Sequence, residues 1–261
     1  VFPVIAEEIQ KNPNVAAVLY VPYGGQYDGY AAGQVIYGDA VPTGKLTGTW
    51  YADMSALPTL DAYSIPEGTN NTMSLDDLAP RYTVDVSQAD AAANKLTYQY
   101  TDADVTYEFG YGLTYTTFAY SDFRVGTQNE DGSLQATVTV KNTGNTDSSE
   151  IVQLYASNKN STYGDYAAIR RLVAFDKVDL KAGESKTVTL TVEEEDLQMW
   201  NTNTDSYAVE AGTYTFEVGA SSKDIKASGN AVLRGENFDG LNIGEAVSVY
   251  DKSFAASPEI T

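Results

Sequence analysis

The sequence predicts two kinds of structure in series: an α/β portion first, then an all-β, immunoglobulin-like sandwich. Three observations carry this. Residues 15–21, Val-Ala-Ala-Val-Leu-Tyr-Val, are a continuous apolar run followed by a loop and a segment of helical period. Between residues 118 and 233 lie seven short apolar runs, several strictly alternating, separated by turn signals. The stretch between these regions, residues 51–115, is loop-rich and punctuated by Pro58, Pro66 and Pro80.

Taken in order, residues 5–11 have short helical spacing that Asn12-Pro13-Asn14 stops. Residues 15–21 have the pattern of a strand covered on both faces in a parallel sheet. Pro22-Tyr23-Gly24-Gly25 is a loop, and residues 28–37 form a helix with Ala31, Ala32, Val35 and Ile36 as its apolar stripe and Gly38 as its end. Thr43-Gly44-Lys45-Leu46 leads into a short strand through Trp50. Together these make one βαβ unit, too small for a domain, so the rest of its sheet is expected upstream. Residues 51–115 form a connector, long enough to be functional or draped over a neighbour. It closes on the aromatic-dense stretch Glu108-Phe109-Gly110-Tyr111-Gly112-Leu113-Thr114-Tyr115. At least two of Phe109, Tyr111 and Tyr115 are expected to be buried where the two parts meet.

Residues 116–233 hold the sandwich, with strands expected at 118–125, 134–140, 151–156, 172–180, 187–192, 212–220 and 225–233. Leu134, Ala136, Val138 and Val140 alternate with polar residues, as do Val188, Leu190 and Val192, so each run presents one apolar face. Asn129-Glu130-Asp131-Gly132 reads as a hairpin turn. Residues 234–261 are a tail with a weak strand at 246–249. The tail either caps the sandwich or leads into a further module.

Composition limits the chemistry. The chain has 261 residues and a formal net charge of −20, from 36 acidic and 16 basic side chains. Such a charge repels phosphate backbones and anionic lipid, so neither nucleic acid nor a membrane surface is an expected partner. There is no cysteine and no histidine. That excludes disulfides, thiol nucleophiles, histidine-based triads and the usual zinc sites. Asp102-Ala103-Asp104 and the 129–132 turn lack the spacing of a calcium loop, and no metal is expected. No apolar run is long enough to span a bilayer. The chain opens without Met or a basic leader, which suggests that residues upstream have been removed.

The motifs together resemble a known family. Gly24-Gly25-Gln26-Tyr27-Asp28-Gly29 before an Ala-rich helix, and the stretch from Ile36 to Leu46, are similar to the second domain of family 3 β-glucosidases. The stretch from Tyr107 to Phe118 resembles the Phe-Gly-Tyr-Gly-Leu motif of the same enzymes. Asn142-Thr143-Gly144, the run from Glu150 to Tyr155 and that from Leu180 to Lys186 resemble their fibronectin type III-like domain. The resemblance covers about residues 1–230. It implies that residues 1–50 are the C-terminal part of an α/β sandwich domain and that 116–233 are a fibronectin type III-like domain. It also implies a secreted, bacterial-type glycoside hydrolase acting on terminal β-linked glucose or a related sugar, with extracellular or periplasmic location and no cofactor. That family keeps its nucleophile Asp in an N-terminal barrel and its acid/base Glu on an earlier loop, and neither segment is in this chain. The chain alone is therefore expected to be inactive. The absent barrel, or a second copy pairing through residues 1–50, is the expected macromolecular partner.

The candidate substrate-binding residues are Gly25, Gln26, Tyr27, Asp28 and Trp50. Gly25 and Gln26 lie between a strand end and a helix start, where α/β sheets bind ligands. Where the family carries Glu after Gly-Gln, this chain has Tyr27, with Asp28 next. Asp28 also reads as a helix cap, its carboxylate serving free N–H groups and the dipole. Tyr27 and Trp50 are flat rings of the kind sugars stack on, and equally the kind that pack a sheet. Trp200, after the acidic run 193–196, has the same ambiguity. No catalytic residue is assigned. Two other functions stay open: a stand-alone carbohydrate-binding module, which predicts affinity for β-glucan or xylan, and a structural or adhesive extracellular segment, which predicts none.

Overall fold

The computed structural model describes residues 7–52 and 97–242. The predicted strand at 246–249 lies outside them. The sandwich is the body of the molecule. Its first sheet has three antiparallel strands, with β4 (Leu134–Asn142) between β3 (Phe118–Val125) and β7 (Ser185–Val192). Its second sheet has four, in the order β11 (Ile225–Leu233), β10 (Gly212–Gly219), β5 (Ser148–Ser157), β6 (Arg171–Leu180). All seven fall where alternation and turn residues put them, with ends moved by a few residues.

The alternation becomes the core. Leu134, Ala136, Val138 and Val140 of β4 face Val152, Leu154 and Ala156 of β5, with Val188, Leu190 and Val192 of β7 beside them, all buried. Tyr214, Phe216 and Val218 complete the inner face from β10. Register keeps the apolar sets together, as Val138 pairs with Val188 and Ala136 with Leu190. The outer face of β5 is buried as well: Gln153 and Tyr155 are covered. That second burial marks where the rest of the chain docks.

A small hairpin, β8 (Met199–Asn201) with β9 (Ser206–Ala208), stands beside the sandwich. The acidic run before it forms a short helix, residues Glu194–Leu197, closed by a capping box between Glu193 and Asp196. Beyond Leu233 the chain continues to cover the sandwich. Phe238 is fully buried against Tyr163 and Ala208, and Glu236 bridges to Glu210. The first part of the tail is therefore a cap.

The N-terminal portion departs from expectation in its strands: the βαβ unit does not form among the described residues, and the strand near Trp50 pairs antiparallel with the connector. Helix α1 (Glu7–Lys11) and helix α2 (Asp28–Tyr37) form, and Gly38 closes α2 with its N–H on the Gln34 and Val35 carbonyls. Residues 15–21 do not form a strand. They run as irregular backbone, with Val18, Leu19 and Val21 exposed. The apolar pattern was right for a strand covered on both faces, but among the described residues no neighbouring strand pairs with it. The Tyr20 ring lies edge-on to Trp50 at 5.2 Å. Residues Trp50–Tyr51 form β1, paired with β2 (Val105–Tyr107) from the end of the connector.

Candidate functional site

The loop between residues 21 and 28 opens α2 through a single 3-10 turn, Gly25–Tyr27. The Asp28 carboxylate folds back over Gly24, so that a Cβ at position 24 would lie 1.9 Å from its Oδ1 and displace it. Asp28 is the first helical residue, favourably placed against the helix dipole, but no side-chain hydrogen bond caps the helix and Tyr27 holds the cap position. The capping bonds expected of Asp28 are thus replaced by a carboxylate curled over the turn. Gly25 and Gln26 are exposed, Asp28 is partly covered, and the Tyr27 ring is 68% exposed. Tyr23 and Tyr30 are also exposed, so residues 23–30 carry three open phenol rings and the Asp28 carboxylate. Tyr30 receives the Gln34 amide at 2.8 Å, which fixes its hydroxyl along the helix. The set offers flat apolar faces with hydroxyl and carboxylate acceptors between them, which suits a polyhydroxylated ligand. Among the described residues there is no group of acidic side chains that could hold a metal ion.

Trp50 lies elsewhere in this chain's packing. It is buried, with Tyr20 edge-on at one side and Tyr107 at 5.8 Å on the other. Its ring is enclosed by its neighbours, whereas Gly25, Gln26 and Tyr27 face outward.

Sequence reasoning did not find the cluster that joins the two parts. Lys45, from the Thr-Gly-Lys-Leu stretch, reaches into the sandwich and places Nζ 3.2 Å from Glu150 Oε1 at the start of β5's apolar run. The same ammonium donates to the Gly112 carbonyl at 3.2 Å. Backbone bonds from Gly110 N to Leu46 O and from Leu46 N to Tyr111 O, both 2.8 Å, stitch the two loops together. Gln153 Nε2 donates to the carbonyls of Gly110 and Ala220, and Tyr155 Oη donates to Gln153 Oε1. Burial pushes the Glu150 carboxyl above its usual range, against the opposing pull of Lys45. Burial, and then the same carboxylate, push the Tyr120 phenol up. The sequence carries one local sign of it, an acid and an amide, Glu150 and Gln153, in a run otherwise fit for a core, but no sign of what they meet.

The aromatic residues at this junction are less buried than expected. Phe109 and Tyr111 are half-buried and Tyr115 is exposed. Phe109 stacks on Tyr98 at 4.0 Å, Tyr111 on Tyr107 at 4.9 Å, and Tyr115 Oη donates to the Val35 carbonyl at 2.6 Å. The two stacks lie within the connector, Tyr115 ties it to α2, and Gly110, Gln153 and Lys45 join it to the sandwich.

Comparison with known proteins follows this division. Residues 2–115 match the glycosyl hydrolase family 3 C-terminal domain, and residues 150–222 match the fibronectin type III-like domain. A probable beta-glucosidase D of Emericella nidulans is 34% identical over 247 residues, 86% of this chain and 27% of that protein. A xylan 1,4-beta-xylosidase of Xylanibacter ruminicola is 31% identical over 212 residues, 80% of this chain and 21% of that one. The crystal structure of a Bifidobacterium adolescentis family 3 beta-glucosidase superposes with a TM-score of 0.64 at 32% identity, over 81% of this chain and 29% of its own. The chain thus spans between a fifth and a third of the length of these proteins. The motifs that meet at the Lys45–Glu150 junction, and the two domains on either side of it, show that the chain belongs to glycoside hydrolase family 3, as its C-terminal α/β and fibronectin type III-like portion.

Proposed function

We propose that this chain is the non-catalytic C-terminal portion of a secreted, bacterial family 3 hydrolase that releases terminal β-linked glucose or a related sugar with retention. The observation that carries this reading is the junction. An α/β segment matched to one family domain is tied by an ion pair and reciprocal backbone bonds to a sandwich matched to the other. In a retaining enzyme two carboxyl groups about 5–5.5 Å apart flank the sugar. In this reading the present segment holds the turn at Gly25, Gln26, Tyr27 and Asp28 against that cleft, where Asp28 and the Tyr27 ring touch a sugar hydroxyl and face. The exposed residues Val18, Leu19 and Val21 are the surface against which the catalytic part, or a second copy, packs. The location proposed is extracellular or periplasmic, in keeping with the acidic surface.

The test has two arms. The purified 28.1 kDa chain should not hydrolyse an aryl β-glucoside. Turnover that persists in the homogeneous chain would overturn the non-catalytic assignment. In the complete polypeptide, Asp28→Asn and Tyr27→Ala should raise KM about five- to ten-fold, the loss of one hydrogen bond or one stacking face. Unchanged KM in both variants would remove the turn from the cleft. The exposed phenol rings at the turn also favour a second reading, a carbohydrate-binding module that works without a catalytic partner. It predicts retardation of the isolated chain in β-glucan or xylan gels that Tyr27→Ala abolishes.

A further inference from the structure

Trp200 and Tyr207 face each other across the β8–β9 hairpin, their ring centroids 5.2 Å apart and their planes at 77°. They are 45% and 68% exposed, while the residues that alternate with them, Asn201 and Ala208, are buried. The hairpin is held from behind. Tyr163 Oη donates to the Trp200 carbonyl at 2.8 Å and accepts from Thr202 N at 2.9 Å. Asn201 Nδ2 donates to Glu236 at 3.0 Å, and Asn203 Nδ2 donates to the Gly240 carbonyl at 2.8 Å. Asp205 turns the hairpin in the left-handed backbone region, at φ 52°, a conformation that costs energy in a residue with a side chain. A polar frame and a strained turn therefore hold two aromatic rings with a large share of their surface toward solvent, outside the two core clusters.

We propose that the Trp200–Tyr207 pair is a saccharide-binding platform on the fibronectin type III-like portion, distinct from the turn at residues 24–28. Indole and phenol faces stack on the C–H face of a pyranose. The neighbouring Asp205 carboxylate and the Thr204 and Ser206 hydroxyls, which bond each other at 2.8 Å, supply hydrogen-bonding groups at the rim. A neutral glycan fits better than a protein. Two rings cover on the order of 400 Å² at most, against roughly 800 Å² per partner in a stable protein interface. A second copy carries the same net charge of −20 over its whole chain, which opposes self-association. The ligand class rests on the family reading above, with a chain of β-linked sugars as the occupant.

The experiment is electrophoresis of the full chain through gels containing soluble mixed-linkage β-glucan or xylan, with acrylamide quenching of tryptophan fluorescence in the same polysaccharides. The wild type should be retarded, and its exposed indole should become shielded. Trp200→Ala and Tyr207→Ala should each weaken retardation about five- to ten-fold while the chain keeps a cooperative melting transition. Phe175→Ala, which removes an exposed ring of β6, should leave retardation intact. Retardation that survives Trp200→Ala overturns the proposal. Retardation lost only with Tyr27→Ala also overturns it, and assigns binding to the helix-opening turn. No retardation in either polysaccharide overturns the platform but leaves the hydrolase reading, which is tested separately by KM. Concentration-dependent dimerisation abolished by Trp200→Ala would make the pair a self-association contact and overturn the glycan assignment.

Discussion

Gly110 sits in the left-handed region at φ 81°, and a Cβ there would lie 2.0 Å from Gln153 Oε1. Both the backbone and the space admit glycine alone. Gly110→Ala should therefore cost about 1–3 kcal/mol, read as a fall in urea midpoint without a change in slope. An unchanged midpoint would mean that Gln153 swings aside freely. The neighbouring ion pair makes a sharper statement, because its two members are not equivalent. The Glu150 carboxyl is held above its usual range by burial. The folded state thus binds its proton more tightly than the unfolded chain does. By itself this group favours folding below the ordinary carboxylate pKa, and that contribution is lost as pH rises through the raised value. Lys45 offsets that loss. Lys45→Met should cost about 3 kcal/mol at pH 7, by leaving a buried carboxylate unpaired, and less at lower pH as Glu150 takes up a proton. Glu150→Gln should cost less than Lys45→Met at pH 7, since Lys45 keeps the Gly112 carbonyl. If the two variants lose stability equally at pH 7 and at lower pH, burial of Glu150 is not the controlling cost.

At the scale of elements, the strands were legible because each carries its own evidence. Leu134 to Val140 and Val188 to Val192 alternate with period two, and a half-buried strand needs nothing else to declare its faces. Helix α2 was equally plain, with an Ala-rich stripe and Gly38 as its stop. Residues 15–21 were legible as apolar but not as paired, because a strand is completed by partners that local sequence does not contain. The junction was invisible for a related reason. Lys45, Gly110, Glu150 and Gln153 come from three separated segments, and only the fold puts them together. The turn at 24–28 was found as a loop, but neither the curl of Asp28 over Gly24 nor the burial of Trp50 could be read from residue type. Phe109 shows how exposure sets magnitude. A fully buried Phe truncated to Ala costs about 3–5 kcal/mol. This ring is half-buried and stacked on Tyr98, so Phe109→Ala should cost about 1–3 kcal/mol in thermal or urea unfolding. A loss below about 0.5 kcal/mol, the usual scale for a surface change, would show that the stack is incidental.

Over the whole molecule, buried apolar side chains are concentrated on one side of the junction. The core cluster runs from Leu134 to Leu233, and a second cluster forms around Phe238. Helix α2, by contrast, has no buried residue, and Val18, Leu19, Val21, Ile36 and Tyr37 are exposed. Stability should follow burial, since a segment that buries little apolar surface gains little against the entropy of ordering it. A polypeptide of residues 116–242 should therefore melt cooperatively as a monomer. One of residues 97–242 should melt higher, because Tyr98 and Phe109 cover Tyr155 on the outer face of β5. The full chain should melt higher again, through the Lys45–Glu150 pair and the backbone bonds of Leu46, with residues 15–37 adding little. Its residues 15–37 should exchange amide hydrogens early, and it should self-associate with rising concentration through the exposed apolar residues. Val18→Asp together with Val21→Asp should abolish association without moving the main transition. Hydrogen exchange read by mass spectrometry and light scattering of the same samples would decide it. Uniform protection across residues 15–37 in a monomer would mean that the N-terminal portion is stabilised by contacts other than apolar burial, and the division of the molecule at the junction would have to be abandoned.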